Sequence, residues 1–221
     1  MNKRITIATF ALCAFMPARL PAAETVQLKT SDGKAIQGLL YGRSDVALVL
    51  CHGRGYRAGG ISFREQCEYL ENKGIMCLAL SFRGYPAESP PAPRGGQHDI
   101  VAAIAHLASL GAKRIFVLGS SMGGFIALRA LPELEASPGF SGLIVLSAFH
   151  SDTARESRAR KLFIAAEDDT AYYRQTLACF EAAATPKQMI AFKTGGHGQM
   201  LFRKHGQDLL DQIVAFVRLG Q

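Results

Sequence analysis

The sequence lacks the signatures of several large protein classes. Beyond residue 23 it has no apolar run long enough for a membrane-spanning helix, so we expect no stable membrane insertion. It contains neither a G-x-G-x-x-G pattern nor a lysine-bearing phosphate loop. Its histidines show no metal-ligand spacing, and internal repeats and low-complexity segments are absent. The sequence therefore shows no signature of a membrane span, a phosphate-binding loop or a metal site, and we expect neither a metal nor an organic cofactor.

Excess charge of one sign is also scarce. The 221 residues carry a formal net charge of +7, but Lys3, Arg4 and Arg19 lie within the first 23 residues, which contain no acid. The rest of the chain has 22 basic and 18 acidic residues, a mild and dispersed excess that does not predict nucleic-acid binding. With 48% hydrophobic residues, a chain of this length can bury one sizeable core, and we predict a single domain.

The first 23 residues have the order of a secretory signal peptide. Two cations precede an apolar run from residue 5 to residue 16, and small residues end the segment at Ala22 and Ala23. The run is too short to span a bilayer, and the alternative is a buried N-terminal helix. We therefore expect residues 1–23 to be a signal peptide, residues 24–221 to form the mature domain, and the protein to be periplasmic or secreted.

Cleavage would leave four cysteines, Cys51, Cys67, Cys77 and Cys179. An oxidising compartment permits disulfides, and Cys67 and Cys77 are the expected pair because they lie on a predicted helix and on the strand that follows it. The other interpretation, which we favour, treats all four as small buried hydrophobic residues.

Apolar runs of strand length alternate with segments of helical period along most of the chain. A hairpin comes first, with Thr25–Thr30 and Lys34–Tyr41 flanking a Ser-Asp-Gly turn. The predicted strands are then Val46–Cys51, Ile75–Phe82, Arg114–Gly119, Leu143–Ser147, Leu162–Ala166 and Gln188–Phe192, and the predicted helices are Ile61–Asn72, His98–Leu110, Ser121–Leu131, Ala171–Ala184 and His205–Leu219. Continuous apolar strands between amphipathic helices indicate an α/β fold with a mostly parallel sheet covered on both faces. The segments Gly84–Gly96 and His150–Arg160 are predicted to be surface connections.

The stretch from Gly119 to Gly123, GSSMG, fits G-x-S-x-G between a predicted strand and a predicted helix. In that context the pattern is typical of a nucleophile elbow, a turn so sharp that the residues two positions from the serine must be small. Ser121 is therefore the candidate nucleophile, and Ser120 is interpreted as a supporting residue. The alternative, an anion-binding helix start, is disfavoured because the common phosphate-binding patterns are absent.

Polar residues follow other predicted strands, at the edge where a parallel sheet binds its ligands. The loop after Cys51 is rich in glycine and can supply one main-chain N–H to an oxyanion, and the residue after the nucleophile supplies the other. We therefore assign the two oxyanion donors to Arg54 and Met122. His52 is interpreted as a loop-shaping residue. His197, between glycines after the last strand, is the candidate base. The run Glu167-Asp168-Asp169 follows a buried strand and offers the carboxylate that such a base needs.

Together these segments resemble the α/β-hydrolase superfamily, in particular its small lid-less members similar to dienelactone hydrolase. The resemblance covers residues 35 to 219 and rests on VALVLCHGRG, LALSFRGYPAES, RIFVLGSSMGG, LFIAAEDD and GGHGQML. It implies a three-layer fold, a mostly parallel sheet with an N-terminal antiparallel hairpin, and no lid domain. It places the nucleophile on Ser121, the acid on Asp169 and the base on His197, with Asp168 as an alternative acid and Asp152 as a remoter one.

The resemblance implies a serine hydrolase that cleaves a carboxylic ester or thioester of a small molecule through an acyl-enzyme. Dienelactone hydrolases have cysteine at the position of Ser121, so the resemblance does not extend to their specific activity. A peptidase or amidase of the same fold and a non-catalytic binding protein on the same scaffold are the alternatives. Arg54, Arg83 and the segment Gly84–Gly96 raise the further hypothesis of an acidic acyl group.

Overall fold

The computed structural model describes residues 23–55, 59–85, 93–147 and 151–219. Within these ranges the strands are β1 (Glu24–Lys29), β2 (Ala35–Tyr41), β3 (Val46–Cys51), β4 (Met76–Ser81), β5 (Arg114–Ser120), β6 (Phe140–Leu146), β7 (Arg160–Ala166) and β8 (Lys187–Phe192). The α-helices are α1 (Arg64–Asn72), α2 (Gly96–Ser109), α3 (Met122–Arg129), α4 (Leu131–Glu135), α5 (Thr170–Ala182) and α6 (Met200–Arg218). Apart from Ala23, the expected signal peptide lies outside the described residues.

The strands form one sheet in the order β1-β2-β4-β3-β5-β6-β7-β8. The pairs β1 with β2 and β2 with β4 are antiparallel, and every other neighbouring pair is parallel. The predicted mostly parallel sheet with an N-terminal antiparallel hairpin is therefore confirmed. Because β3, β5, β6, β7 and β8 run in the same direction, the loops that follow them meet at one edge of the sheet.

Helices cover both faces of the sheet, and β3 shows how the sequence requires this. All six of its residues are buried, and successive side chains of a strand point to opposite faces. Ala47 and Val49 belong to one buried cluster, which also contains residues of α2, α3, α4 and α5, whereas Leu48 and Leu50 belong to a second cluster with residues of α1 and α6. Burial of each such leucine side chain stabilises the folded state by about 1.5–3 kcal/mol relative to exposure to water.

The predicted strands agree with the observed ones to within a few residues, and the helices differ in two places. The helix predicted over Ser121–Leu131 is two helices, because α3 ends at Arg129 and α4 begins at Leu131. The last helix begins at Met200 instead of His205. Gly206, with a φ of 43°, interrupts α6, and this break hides the helical period of its first turns.

The connection between β6 and β7 forms no lid domain in the part that the structure describes. Residues 151–159 of this connection contain one short 3₁₀ helix, Asp152–Arg155. Residues 86–92 of the predicted surface segment Gly84–Gly96, and residues 148–150, lie outside the described residues.

The four cysteines of the described chain are all buried, and none is bridged to another. They therefore behave as the small buried hydrophobic residues of the favoured interpretation. The pKa values of the Cys51 and Cys67 thiols are raised, mainly because both thiols are buried. No helix among the described residues combines the length and the apolar character needed to cross a bilayer.

Candidate active site

The turn from β5 into α3 holds Ser121 in a backbone conformation that few L residues adopt, with φ 51° and ψ −112°. The Ser121 N–H donates to the carbonyl oxygen of Leu146 on the neighbouring strand at 2.8 Å, which fixes this conformation. Ser120, by contrast, is 1% exposed. The turn therefore presents Ser121, and not Ser120, at the carboxyl edge of the sheet.

Two glycines make this turn sterically feasible. A Cβ atom on Gly119 would lie 2.5 Å from the Cα of Gly124, and one on Gly123 would lie 2.4 Å from the carbonyl oxygen of Cys51. Both contacts are with main-chain atoms that cannot rotate away. Any side chain at either position would push α3 off the sheet, which is the steric requirement expected of the G-x-S-x-G turn.

The structure brings Ser121, Asp169 and His197 together. His197 Nε2 lies 2.7 Å from Ser121 Oγ, and His197 Nδ1 lies 2.7 Å from Asp169 Oδ2. Because a carboxylate only accepts, the imidazole donates from Nδ1, which leaves the Nε2 lone pair for the serine hydroxyl. The remoter acid Asp152 instead pairs with Arg155 on the 3₁₀ helix and is 78% exposed.

Asp168, the alternative acid, binds main chain instead of the imidazole. Its two oxygens accept from the N–H groups of Gly195 and Gly196, each at 3.0 Å. These two hydrogen bonds are the main reason why the pKa of the Asp168 carboxyl is lowered. The alternative of Asp168 as the acid that contacts His197 is thus not supported, because its oxygens are occupied by the loop that carries His197.

His52 is a buried structural residue of the loop after β3. Its Nδ1 donates to the carbonyl oxygen of Gly53 at 2.7 Å, and its Nε2 accepts from the N–H of Phe82 at 3.2 Å. Only the neutral ring can make both bonds, since a protonated ring has no acceptor. Burial lowers the pKa of His52 to about 4, which keeps the ring neutral. The loop-shaping interpretation of His52 is consistent with these contacts.

The two expected oxyanion donors lie on α3 and on the loop after β3. Met122 is the first residue of α3, where the N–H groups lack partners within the helix. Arg54 follows Gly53, and a Cβ atom on Gly53 would lie 3.4 Å from the Cβ of Ser121. The loop after β3 therefore reaches Ser121, although the donor roles of Arg54 and Met122 stay predictions.

The Arg83 guanidinium, which the sequence offers as a possible partner of an acidic acyl group, is paired with two carboxylates of the protein itself. Its guanidinium donates to Asp99 from Nε at 2.8 Å and from Nη2 at 2.6 Å, and to Asp32 from Nη1 at 2.5 Å and from Nη2 at 3.0 Å. The Arg83 N–H also donates to Asp99 at 2.9 Å. The pKa of Arg83 is raised, mainly because its guanidinium hydrogen-bonds with Asp32. Arg83 thus joins the first hairpin to α2 and to the end of β4.

Tyr85, two residues further, lies against the candidate site. Its hydroxyl donates to Met122 Sδ at 3.5 Å, and its ring packs edge-on against His52 with centroids 4.5 Å apart. Burial raises the pKa of the Tyr85 hydroxyl, and the charge of Arg54 opposes this shift. Tyr85 and the exposed Arg54 therefore border the same region.

Two residues near His197 were not found from the sequence. The Tyr172 ring on α5 contacts the His197 ring with centroids 4.0 Å apart. Gln199 hydrogen-bonds with the N–H of Gly53 and with Ser62, which are 146 and 137 positions away. No local pattern signals such distant partners; the only hint is a polar amide inside the glycine-rich GGHGQ segment.

Chemically, the site combines a hydroxyl, an imidazole and a carboxylate in one continuous chain of hydrogen bonds. Such an arrangement can remove the hydroxyl proton and hold it on the imidazole while the oxygen attacks a carbonyl carbon. Within the described ranges, no group of three or more His, Cys, Asp or Glu side chains could hold a metal ion.

The fold, the elbow and the hydrogen-bonded chain define the α/β-hydrolase class. A sequence profile of the α/β-hydrolase fold matches residues 46–187, which is more than half of the chain and includes Ser121 and Asp169. The chain therefore belongs to the α/β-hydrolase family, as its sequence motifs predict. A search of curated proteins finds no match.

Solved structures of the same fold cover this chain almost from end to end. They include an esterase from Exiguobacterium antarcticum (18% identity, TM-score 0.73, 88% of this chain and 100% of that chain covered) and a dienelactone hydrolase from Anabaena variabilis (16% identity, TM-score 0.73, 90% and 97% covered). A serine hydrolase without a lid from Xanthomonas campestris is similar as well (19% identity, TM-score 0.70, 92% and 97% covered). At these identities the likeness shows the fold, and it agrees with a lid-less domain.

Proposed function

We propose that the protein is a serine hydrolase that cleaves carboxylic ester or thioester bonds through an acyl-enzyme. The observation that carries this proposal is the double contact of His197, which lies 2.7 Å from Ser121 Oγ through Nε2 and 2.7 Å from Asp169 Oδ2 through Nδ1. The elbow conformation of Ser121 supports the same chemistry. The structural relatives named as esterases and serine hydrolases support it further.

In the first half of the reaction, His197 Nε2 takes the proton of Ser121 as the serine oxygen attacks the acyl carbonyl carbon. The Asp169 carboxylate stabilises the imidazolium that forms. The main-chain N–H groups of Arg54 and Met122 stabilise the negative charge on the carbonyl oxygen. The imidazolium then gives its proton to the leaving alcohol or thiol, and the acyl group remains on Ser121.

In the second half, water enters the place of the leaving group and His197 takes a proton from it. The resulting hydroxide attacks the acyl-enzyme, and the same N–H groups stabilise the second tetrahedral intermediate. His197 then returns the proton to Ser121 as the acid leaves.

A fluorophosphonate probe tests the nucleophile. We expect it to label the wild-type chain and not Ser121→Ala, whereas Ser141→Ala, at the amino end of β6, should label like wild type. A matched ester and amide with the same acyl group test the bond class. Hydrolysis of the amide but not of the ester would make the protein an amidase, and the absence of both labelling and turnover would favour a binding protein.

We also propose that the protein is exported and cleaved after Ala23. The support is the order of charged, apolar and small residues in the first 23 positions. The first strand begins at Glu24, so this cleavage would leave every described strand and helix intact. N-terminal sequencing of the protein from the periplasmic or secreted fraction should begin at Glu24, and an uncleaved chain in the cytoplasm would contradict the proposal.

A further inference from the structure

Gln199 connects the loop that carries His197 to the chain that follows β3. Its Oε1 accepts from the N–H of Gly53 at 3.3 Å, and its Nε2 donates to Ser62 O at 3.2 Å and to Ser62 Oγ at 3.1 Å. The carbonyl faces a donor and the NH₂ faces two acceptors, so one orientation of the amide satisfies all three contacts.

The partners of Gln199 lie on both sides of Arg54 in the sequence. Gly53 comes directly before Arg54, the expected oxyanion donor. Ser62 lies on the 3₁₀ helix Gly60–Phe63 that leads into α1, and its hydroxyl donates to the carbonyl oxygen of Gly59 at 2.6 Å. A single side chain therefore holds the connection between β3 and α1 near its start and near its end.

The turn that positions Gln199 is the turn that positions His197. Gly198, between them, has a φ of 57°, and a Cβ atom on it would lie 2.7 Å from Ser120 Oγ and 3.6 Å from Ser121 Cβ. Because Gly198 has no side chain, the turn can pack closely against the elbow. His197 and Gln199 lie on either side of Gly198, so this packing fixes the positions of the imidazole and of the amide relative to the serine.

We infer that Gln199 is a positioning residue that holds the oxyanion loop in register with His197; this inference rests on the proposed function. Gln199 acts through Gly53 and Ser62, which its amide contacts. Oxyanion donors stabilise a transition state only where they point at the developing charge, and a displacement of about 1 Å can lower a rate about 100-fold. Loss of the amide should therefore lower kcat while KM stays nearly constant.

Gln199→Met tests this role because it keeps the length of the side chain and removes both hydrogen-bonding groups. Gln212→Met, at an exposed position of α6, the helix that begins directly after Gln199, is the matched control. We expect Gln199→Met to lower kcat about 10- to 100-fold with KM within about two-fold of wild type.

Inhibition by phenylboronic acid, whose adduct on Ser121 is tetrahedral, should weaken by a similar factor in Gln199→Met. Ser62→Ala removes one of the three contacts of Gln199 together with the hydroxyl bond to Gly59, but keeps the contact of Gln199 with the Ser62 carbonyl oxygen. It should show a smaller effect in the same direction.

Hydrogen exchange provides a readout that does not need turnover. The amides of Gly53, Arg54 and Ser62 should exchange faster in Gln199→Met than in wild type or Gln212→Met. Unchanged kcat, or a change confined to KM, would overturn the inference. If the wild-type chain shows no turnover that depends on Ser121, the proposed function fails with the catalytic part of the inference. Exchange then decides the structural part: faster exchange supports it, and unchanged exchange overturns it.

Discussion

The adjacent carboxylates of Asp168 and Asp169 bind two different parts of one loop. Asp169 accepts from His197 Nδ1 at 2.7 Å, whereas Asp168 accepts from the N–H groups of Gly195 and Gly196, each at 3.0 Å. Both acids lie in the turn between β7, which ends at Ala166, and α5, so the same turn orients the imidazole and the backbone that carries it.

Removal of the charge from these two acids should have unequal effects. Asp169→Asn should lower kcat about 10³- to 10⁴-fold, because an amide neither fixes the imidazole tautomer nor stabilises the imidazolium. Asp168→Asn keeps an oxygen that can accept from the loop, and we expect a loss of about 10-fold or less. Steady-state kinetics on one p-nitrophenyl ester measure both variants. An Asp168→Asn enzyme as impaired as Asp169→Asn would contradict the assignment.

Acidification should destabilise the fold through His52. Burial lowers the pKa of this imidazole from 6.5 to about 4. The unfolded chain therefore takes up a proton on His52 below pH 6.5, while the folded chain stays neutral there until pH is near 4. The free energy of unfolding falls as pH decreases through this window, by up to about 3 kcal/mol.

His52→Gln separates this effect from the titration of carboxyl groups. The glutamine oxygen can accept from the Phe82 N–H, and the side chain does not titrate. The variant loses the ring contacts with Phe82 and Tyr85, so it should be less stable than wild type at neutral pH. Urea unfolding at several pH values between about 4 and 7 should show the gap between the two proteins narrowing as pH falls. Parallel stability curves would show that His52 does not carry the predicted linkage.

The ion pairs of Arg83 should stabilise the fold unequally. Asp99 is fully buried, whereas the Asp32 side chain is 35% exposed. Asp99→Ala leaves the mostly buried Arg83 without its inner partner and should lower the free energy of unfolding by about 3–5 kcal/mol. Asp32→Ala should cost much less, because water can replace an exposed carboxylate. Denaturant midpoints of the two variants provide the comparison, and equal losses would contradict it.

Arg54 remains the candidate for selectivity toward anionic acyl groups. Arg54 is exposed, and its charge opposes the rise that burial causes in the pKa of Tyr85, so the two residues lie near each other. Arg54→Ala keeps the main-chain N–H, so it should raise KM for an ester with an acidic acyl group by about five-fold or less. KM for a neutral ester of the same length should not change. Lys113→Ala, before β5 at the opposite edge of the sheet, is the control, and equal effects of Arg54→Ala on both esters would dismiss the hypothesis.

The sheet could be predicted from the sequence because buried parallel strands leave unbroken apolar runs. Val46–Cys51 matches β3 residue for residue, since both faces of this strand are covered. The Ser121 elbow was also predictable, because its glycines lie within two positions of the serine. Strand burial and the steric requirement of the elbow both restrict residues that are close in sequence, so a local pattern reveals them.

Long-range contacts left no comparable trace. Arg83 was grouped with Arg54 in the hypothesis of an acidic acyl group, yet its guanidinium is paired with Asp32 and Asp99, which are 51 and 16 positions away. The choice between Asp168 and Asp169 depended on the direction in which each carboxylate leaves the same turn. Gln199 was missed because its partners come from another loop. Each of these roles is set by tertiary packing, which no pattern of neighbouring residues encodes.

Mass spectrometry of the acyl-enzyme tests the role of Ser121 most directly. The wild-type chain is mixed with excess p-nitrophenyl butyrate, quenched in acid and digested. We predict a single butyryl group on the peptide that carries the elbow, located on Ser121, and neither adduct nor turnover in Ser121→Ala. A butyryl group on Ser120, or hydrolysis by Ser121→Ala at the wild-type rate, would contradict the proposed mechanism.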